Sequence, residues 1–320
     1  MILLLIAFNL NPPDLVDLIT QGLDYAYTES FGEAEAKFDS VILKYPDNPA
    51  GYFFKAALIE LVIMDTYLYD REGEFFNLID TTIIRAKRIL KREKNGWAQF
   101  YYASALVYRA VYEGFKRNYW ATFRHGIKGG AEMKRVIDYD STVYDAYLGI
   151  GVYEYFWATA SRYIPILKLF GNWEDGVRKI KVARDSGRFS SVTALNALSW
   201  IMAVEKKPAE AVAYAETLMN RYPESRTFRW TLARAYLADN RCQDAIKIYG
   251  ELLDYYQKHQ PENITNIAQV NLDLAKCLVK DNRIEEALEK LDLILQTEKI
   301  NKTVKEIIDE ARDLKKKIRK

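Results

Sequence analysis

With 320 residues, the chain has room for one to three ordinary domains or for a single elongated repeat array. Its 49% apolar and 28% charged residues are ordinary for a soluble globular class, and two separated cysteines, Cys242 and Cys277, form no C-x-x-C pair and imply no disulfide framework. The net charge of +2 conceals two opposed regions: residues 1–84 carry four Lys/Arg against fourteen Asp/Glu, and residues 85–135 carry thirteen against three.

Eight prolines and fifteen glycines are few interruptions, so long helices are expected rather than many short strands. The chain opens on "MILLLIAFNLNPP", residues 1–13, an apolar lead. Its run from Ile2 to Phe8 is far short of the roughly 20 residues that cross a bilayer. It reads either as the remnant of a signal peptide lacking its basic region or as a short lead on a cytoplasmic protein, and no A-x-A site follows to decide between them.

From Leu15 to Pro49 apolar and small residues recur at helical spacing. Leu18, Gly22 and Tyr25 lie on one predicted helix, Ala34 and Phe38 on the next, and Pro46 stops the second. Gly22 and Ala34 let two antiparallel helices approach, while Tyr25 and Phe38 fill the space beside them. The phase returns: Gly22 to Ala56 is a step of 34, as is Ser199 to Ala233. A small residue followed twelve later by alanine occurs as Gly22/Ala34, Ser199/Ala211, Ala233/Ala245 and Ala275/Ala287.

The middle breaks the step. The partners of Ala56, Ser104 and Gly149 fall near Thr82, Ile127 and Gly176, a surplus of 11 to 15 residues in each hairpin. That is about three or four helical turns, so the hairpins lengthen while their packing faces stay in register. Three consecutive extensions should emerge side by side as a ridge or second layer, with Arg162–Gly176 as the third. All three mix aromatic with basic residues, among them Tyr67, Tyr69 and Arg71, then Phe115, Lys116, Arg117, Tyr119, Trp120, Phe123 and Arg124. Such a surface either packs on itself, binds a protein, or meets an anionic partner. The basic run Arg85–Lys94 poses the same choice, with pairing to Glu60, Asp65 and Asp80 as the simpler expectation.

The regular step resumes, and "RTFRWTLARAYLADNRCQDAIKIYGELL" holds Leu232, Ala233, Tyr236, Ala245 and Tyr249 in repeat positions. The chain closes on an amphipathic helix with Val304, Ile307, Ile308, Ala311 and Leu314 on one face.

This pattern resembles the tetratricopeptide repeat, a helix–turn–helix unit of about 34 residues. The resemblance implies an all-α fold: a right-handed α-solenoid of about seven helical hairpins over 14–301, the second to fourth (49–191) lengthened, with 302–320 as a C-terminal capping helix. A weaker similarity joins Ser161, Pro165, Lys168, Leu169, Gly171 and Gly176 to a eukaryotic tetratricopeptide family linked to inclusion-body clearance, with Trp173 where an arginine is expected. It suggests shared architecture alone.

No catalytic motif stands out. His125 and His259 lie in different hairpins with no second ligand at i+4, and there is no phosphate-binding loop or nucleophile elbow, so neither an enzyme nor a metal or other cofactor is expected. The resemblance instead implies a concave groove lined by the first helix of each hairpin. Its positions carry over to Tyr27, Phe53, Glu60, Tyr101, Tyr108, Arg109, Tyr153, Glu154, Asn196, Trp200, Trp230, Arg234, Lys276 and Lys280. A non-enzymatic scaffold binding a protein or peptide there is the expected function, with no nucleic acid and no transmembrane span. The alternative is a peripheral adaptor whose basic middle contacts an anionic membrane surface or polyanion.

Overall fold

The computed structural model describes residues 9–160, 173–298 and 301–319. These form fifteen α-helices and no strand among the described residues. Consecutive helices pack on each other, as a stack of hairpins requires. The first hairpin is α1 (Pro13–Tyr27) with α2 (Phe31–Lys44), the second α3 (Pro49–Thr66) with α4 (Glu72–Leu90). The third and fourth are α5 (Gly96–Phe115) with α6 (Tyr119–Tyr139) and α7 (Ala146–Ala160) with α8 (Trp173–Ser186). Then come α9 (Ser191–Val204) with α10 (Pro208–Arg221), α11 (Arg226–Ala238) with α12 (Cys242–His259), and α13 (Ile264–Lys280) with α14 (Ile284–Leu295). A final helix, α15 (Lys302–Ile318), follows.

One turn recurs between the two helices of a hairpin. Glu29, Tyr67, Arg117, Lys206, Asn240 and Asn282 all have positive φ, near 60°. The residue after five of them sends its backbone N–H to the carbonyl five residues back: Ser30 to Tyr25, Asn118 to Glu113, Lys207 to Met202, Arg241 to Tyr236 and Arg283 to Leu278, each at 2.8–2.9 Å. This satisfies carbonyls that the first helix would otherwise leave open. The matching turn of the fourth hairpin, and with it most of Arg162–Gly176 and of the inclusion-body-type segment, lies outside the described residues.

Small residues set the helix crossings. A Cβ on Gly22 would lie 2.4 Å from the Phe38 ring, so the glycine and the large side chain are one fitted pair. The lengthened hairpins use the same device at slightly different positions. In α6 the close approach is made by Gly129 against Val107 and Gly130 against Tyr153, while Ile127 is exposed. In the fourth hairpin Gly176 meets Gly151 rather than Gly149.

The chain divides into two compact units, one of residues 1–64 and 68–194, the other of 65–67 and 195–320. The core of the first unit is strongly aromatic, with Phe38, Phe53, Phe54, Phe100 and Tyr101 in one cluster. The extensions of its second and third hairpins pack on one another: Phe115 is 6.3 Å from Tyr69, and Lys116 lies over Tyr69 and pairs with Glu72 at 3.0 Å. In the second unit Tyr249, Leu252 and Tyr256 form one cluster, and α15 seats Val304, Ile307, Ile308 and Ala311 against Leu291 and Ile294. Among the described residues, no helix is long and apolar enough to cross a membrane.

Two cations of the basic run find a carboxylate, though a different one from those expected. Arg85 and Arg88 both pair with Asp47, at 2.7 and 3.1 Å, and Lys87 lies over the Tyr102 ring. Of the three acids expected there, Asp80 pairs with Arg109 and Asp65 with Arg226, while Glu60 points into the core. Asp47 sits in the loop before α3, which helical spacing alone does not place beside α4.

Candidate functional site

The expected groove residues fall into two groups, one in each unit. In the second unit they come from α9, α11 and α13, the first helices of three successive hairpins. Spacings of three and four residues put Asn196, Ser199, Trp200 and Ala203 on one face of α9, and Trp230, Thr231 and Arg234 on one face of α11.

A hydrogen-bond chain fixes these side chains. Trp200 Nε1 donates to Thr231 Oγ1 at 3.1 Å, and the Thr231 hydroxyl donates to Asn196 Oδ1 at 2.7 Å. Trp230 Nε1 donates to Tyr256 Oη at 3.0 Å. The Arg234 guanidinium lies 4.3 Å from the centroid of the Trp200 ring and 5.8 Å from that of Trp230. Ring faces attract a cation, so the two tryptophans hold the guanidinium over their surfaces. Asp273, almost fully buried, lies 3.7 Å from Arg234 and accepts from Gln269 at 3.1 Å and Lys276 at 3.3 Å.

Beside this arginine is a pocket of about 170 Å³ lined by Ser199, Trp200, Ala203, Val204, Thr231, Arg234 and Ala235. Its wall is mostly apolar, with one cation at the edge. Arg234 Nε is buried, while 36% of the side chain is exposed to solvent. The pocket thus suits a short apolar side chain, and the arginine offers an N–H to a carbonyl or carboxylate next to it. Lys276 and Lys280 play other parts. Lys276 bridges Asp273 to Glu310 on α15, the latter at 2.9 Å, and Lys280 ties the turn after α11 through Leu237 O and Asn240 Oδ1, each at 3.0 Å.

In the first unit Tyr27 shares a hydrogen bond with Thr193, 3.2 Å apart. Phe53 and Tyr108 meet edge to face at 5.0 Å, and Phe53 and Tyr101 are buried core residues. Arg109 is paired with Asp80 at 3.1 Å and lies over Phe76, and Glu154 is paired with Lys179 at 2.6 Å. Tyr153 packs on Gly130. These side chains chiefly hold the first unit together.

Glu60 is the exception. It is 4% exposed, its Oε1 has no hydrogen-bond partner, and burial drives its carboxyl well above the usual range. The titratable groups that feel its charge are the phenols of Tyr108 and Tyr112. A carboxyl protonated more readily in the folded than in the unfolded chain favours folding most below about pH 4.5, its ordinary value. That contribution is lost as pH rises toward the folded value, by up to about 1.4 kcal/mol per pH unit. Glu60→Gln, which keeps the shape without the charge, is expected to flatten the decline. Urea denaturation from pH 5 to pH 8, comparing the two chains, measures this.

Thr231, Asp273 and Val204 were not among the groove positions expected from the sequence. The signal for the first two was present: Thr231 lies three residues before Arg234, and Asp273 three before Lys276, each on the same helix face. Val204 lines the pocket from the last turn of α9, where its apolar side chain is exposed.

The tetratricopeptide repeat family model matches residues 205–262, which span α10 to the end of α12. These residues are similar to tetratricopeptide repeats, and α11 carries both Trp230 and Arg234. No curated protein sequence matches the chain. Among solved structures, the C-terminal part of a repeat-containing protein from Cytophaga hutchinsonii is similar at 15% identity, over 89% of this chain and 96% of that one, with a TM-score of 0.41. A tetratricopeptide repeat protein from Parabacteroides merdae is similar at 12% identity over 94% and 100%, with a TM-score of 0.45. At such identities no residue role passes from those proteins to this one.

Proposed function

We propose that the chain is a non-enzymatic scaffold whose second unit binds a protein or peptide segment along α9 and α11. An apolar side chain of the partner enters the pocket beside Val204, and a neighbouring carbonyl or carboxylate oxygen accepts from Arg234. The supporting observation is the guanidinium held over Trp200 and Trp230, partly exposed, at the edge of an apolar pocket. Fixing a rotamer-rich arginine in advance lowers the ordering cost of binding. Aromatic and arginine side chains are also those that most often dominate interface energy.

Selection from a random peptide library, run in parallel on the intact chain and on Trp200→Ala/Arg234→Ala, tests this. Peptides enriched on the intact chain should share an apolar residue and be lost on the double variant. Equal enrichment on both would overturn the groove as the binding site.

A further inference from the structure

We propose that a second surface, made by the N-terminal half of α6 and the C-terminal half of α7 in the first unit, docks on an anionic lipid surface. It is separate from the groove of the second unit and does not depend on that proposal.

Trp120 is 75% exposed and Tyr119, Phe123 and Ile127 are exposed on the same helix. On α7, Val152 and Phe156 are exposed as well. One aromatic cluster joins the two helices: the Phe123 and Trp157 ring centroids lie 5.8 Å apart, and those of Phe156 and Trp157 5.6 Å. So many large rings and branched chains gathered at one place exceed the scattered apolar residues of an ordinary surface.

The α6 segment that carries them is basic, with Glu113 just before it bonded to Asn118 at the helix N-cap. From Gly114 to Ala131 the sequence has no carboxylate and four Lys/Arg. Lys116 is occupied by Glu72, but Arg124 and Lys128 are exposed and neither pairs with a carboxylate among the described residues. They sit one turn apart, Arg124 four residues after Trp120 and Lys128 four after Arg124, next to the apolar stripe of Trp120, Phe123 and Ile127. The field they create is felt by His125, which burial, Arg109 and Arg124 together hold below the usual imidazole range.

Tryptophan and tyrosine settle at the boundary between headgroups and acyl chains, where one end of the ring is wet and the other dry. Arginine and lysine beside them meet acidic headgroups. A helix face that combines both lies in the plane of a membrane surface without crossing it. A protein partner would need sockets matched to these rings; a bilayer needs only rings at its interface and cations facing its charge.

Co-sedimentation of the intact chain with phosphatidylcholine vesicles, with and without about one-third phosphatidylserine, gives the test. Binding is expected only with phosphatidylserine, and should fall steeply at about 0.5 M salt. Trp120→Ala/Phe123→Ala should weaken it by about tenfold or more, and Arg124→Gln/Lys128→Gln by about fivefold per charge. Arg124 and Lys128 are exposed and pair with no carboxylate among the described residues, so thermal melting of Arg124→Gln/Lys128→Gln should be unchanged. Quenching of tryptophan fluorescence by brominated lipid should fall in Trp120→Phe, even if that variant still binds. Equal binding to neutral vesicles, no binding to either, or full binding by Trp120→Ala/Phe123→Ala would overturn the proposal. So would binding to heparin through the same cations without binding to vesicles.

Discussion

Gly176→Val is expected to cost about 3 kcal/mol or more and to unfold the α7–α8 hairpin. At most helix positions glycine is a weakness, about 1 kcal/mol worse than alanine. Here it is required, because a Cβ on Gly176 would sit 2.6 Å from the Gly151 carbonyl oxygen and 2.9 Å from Tyr155 N. A Cβ on Gly151 would in turn sit 2.5 Å from the Gly176 oxygen. Both obstacles are backbone, which cannot swing aside as the end of a side chain can. Gly250, inside α12, is the contrast: nothing lies within 4 Å of its Cβ position. Gly250→Ala should therefore stabilise the chain by about 0.5–1 kcal/mol. Urea denaturation followed by circular dichroism measures both, and the two substitutions should move the midpoint in opposite directions.

Asp145→Ala is expected to cost about 3–5 kcal/mol, because it orphans three backbone donors at once. The Asp145 carboxylate is 2% exposed and accepts from the N–H groups of Arg188, Phe189 and Ser190 at 2.9, 2.7 and 2.8 Å. It fastens the segment between α8 and α9 to the start of α7. Each buried N–H left without an acceptor costs about 1–3 kcal/mol. Asp145→Asn should recover only part of this, since an amide nitrogen cannot accept. The same denaturation experiment applied to both variants should rank them wild type, Asn, then Ala.

The regular hairpins were legible because their crossings are made by small residues at a fixed step. Gly22, Ala34, Ala211, Ala233 and Ala245 announce where two helices touch, and the structure buries the alanines completely. The lengthened hairpins lose this clarity, since whole added turns keep a helical period while moving the crossing. Gly129, two residues beyond the expected Ile127, and Gly151, two beyond Gly149, are found only when both helices are seen together. The hairpin turns were hidden for another reason. Among the described turns the left-handed residues are Glu29, Tyr67, Arg117 and Lys206 beside Asn240 and Asn282, and only the two asparagines are types that favour that conformation.

The candidate site was readable in the same uneven way. Trp200, Trp230, Arg234 and Asn196 follow from the repeat resemblance, and the structure gathers them on adjoining helices. Repeat position does not reveal burial: the resemblance assigned Phe53 and Tyr101 to the same kind of position, yet the aromatic core of the first unit absorbs both. Nor does it reveal charge partners, because Arg109 and Glu154 find theirs on other helices and Lys276 finds a second one on α15.

The central claim is that Arg234 and the tryptophan beside it form the binding site. The most direct test is the affinity of one library-selected peptide for the intact chain and for Trp200→Ala/Arg234→Ala, measured by calorimetry beside a melting curve of each. A loss of about 100-fold or more is predicted, with melting still cooperative, since hot-spot residues carry such losses. Equal affinity for the two chains would contradict it.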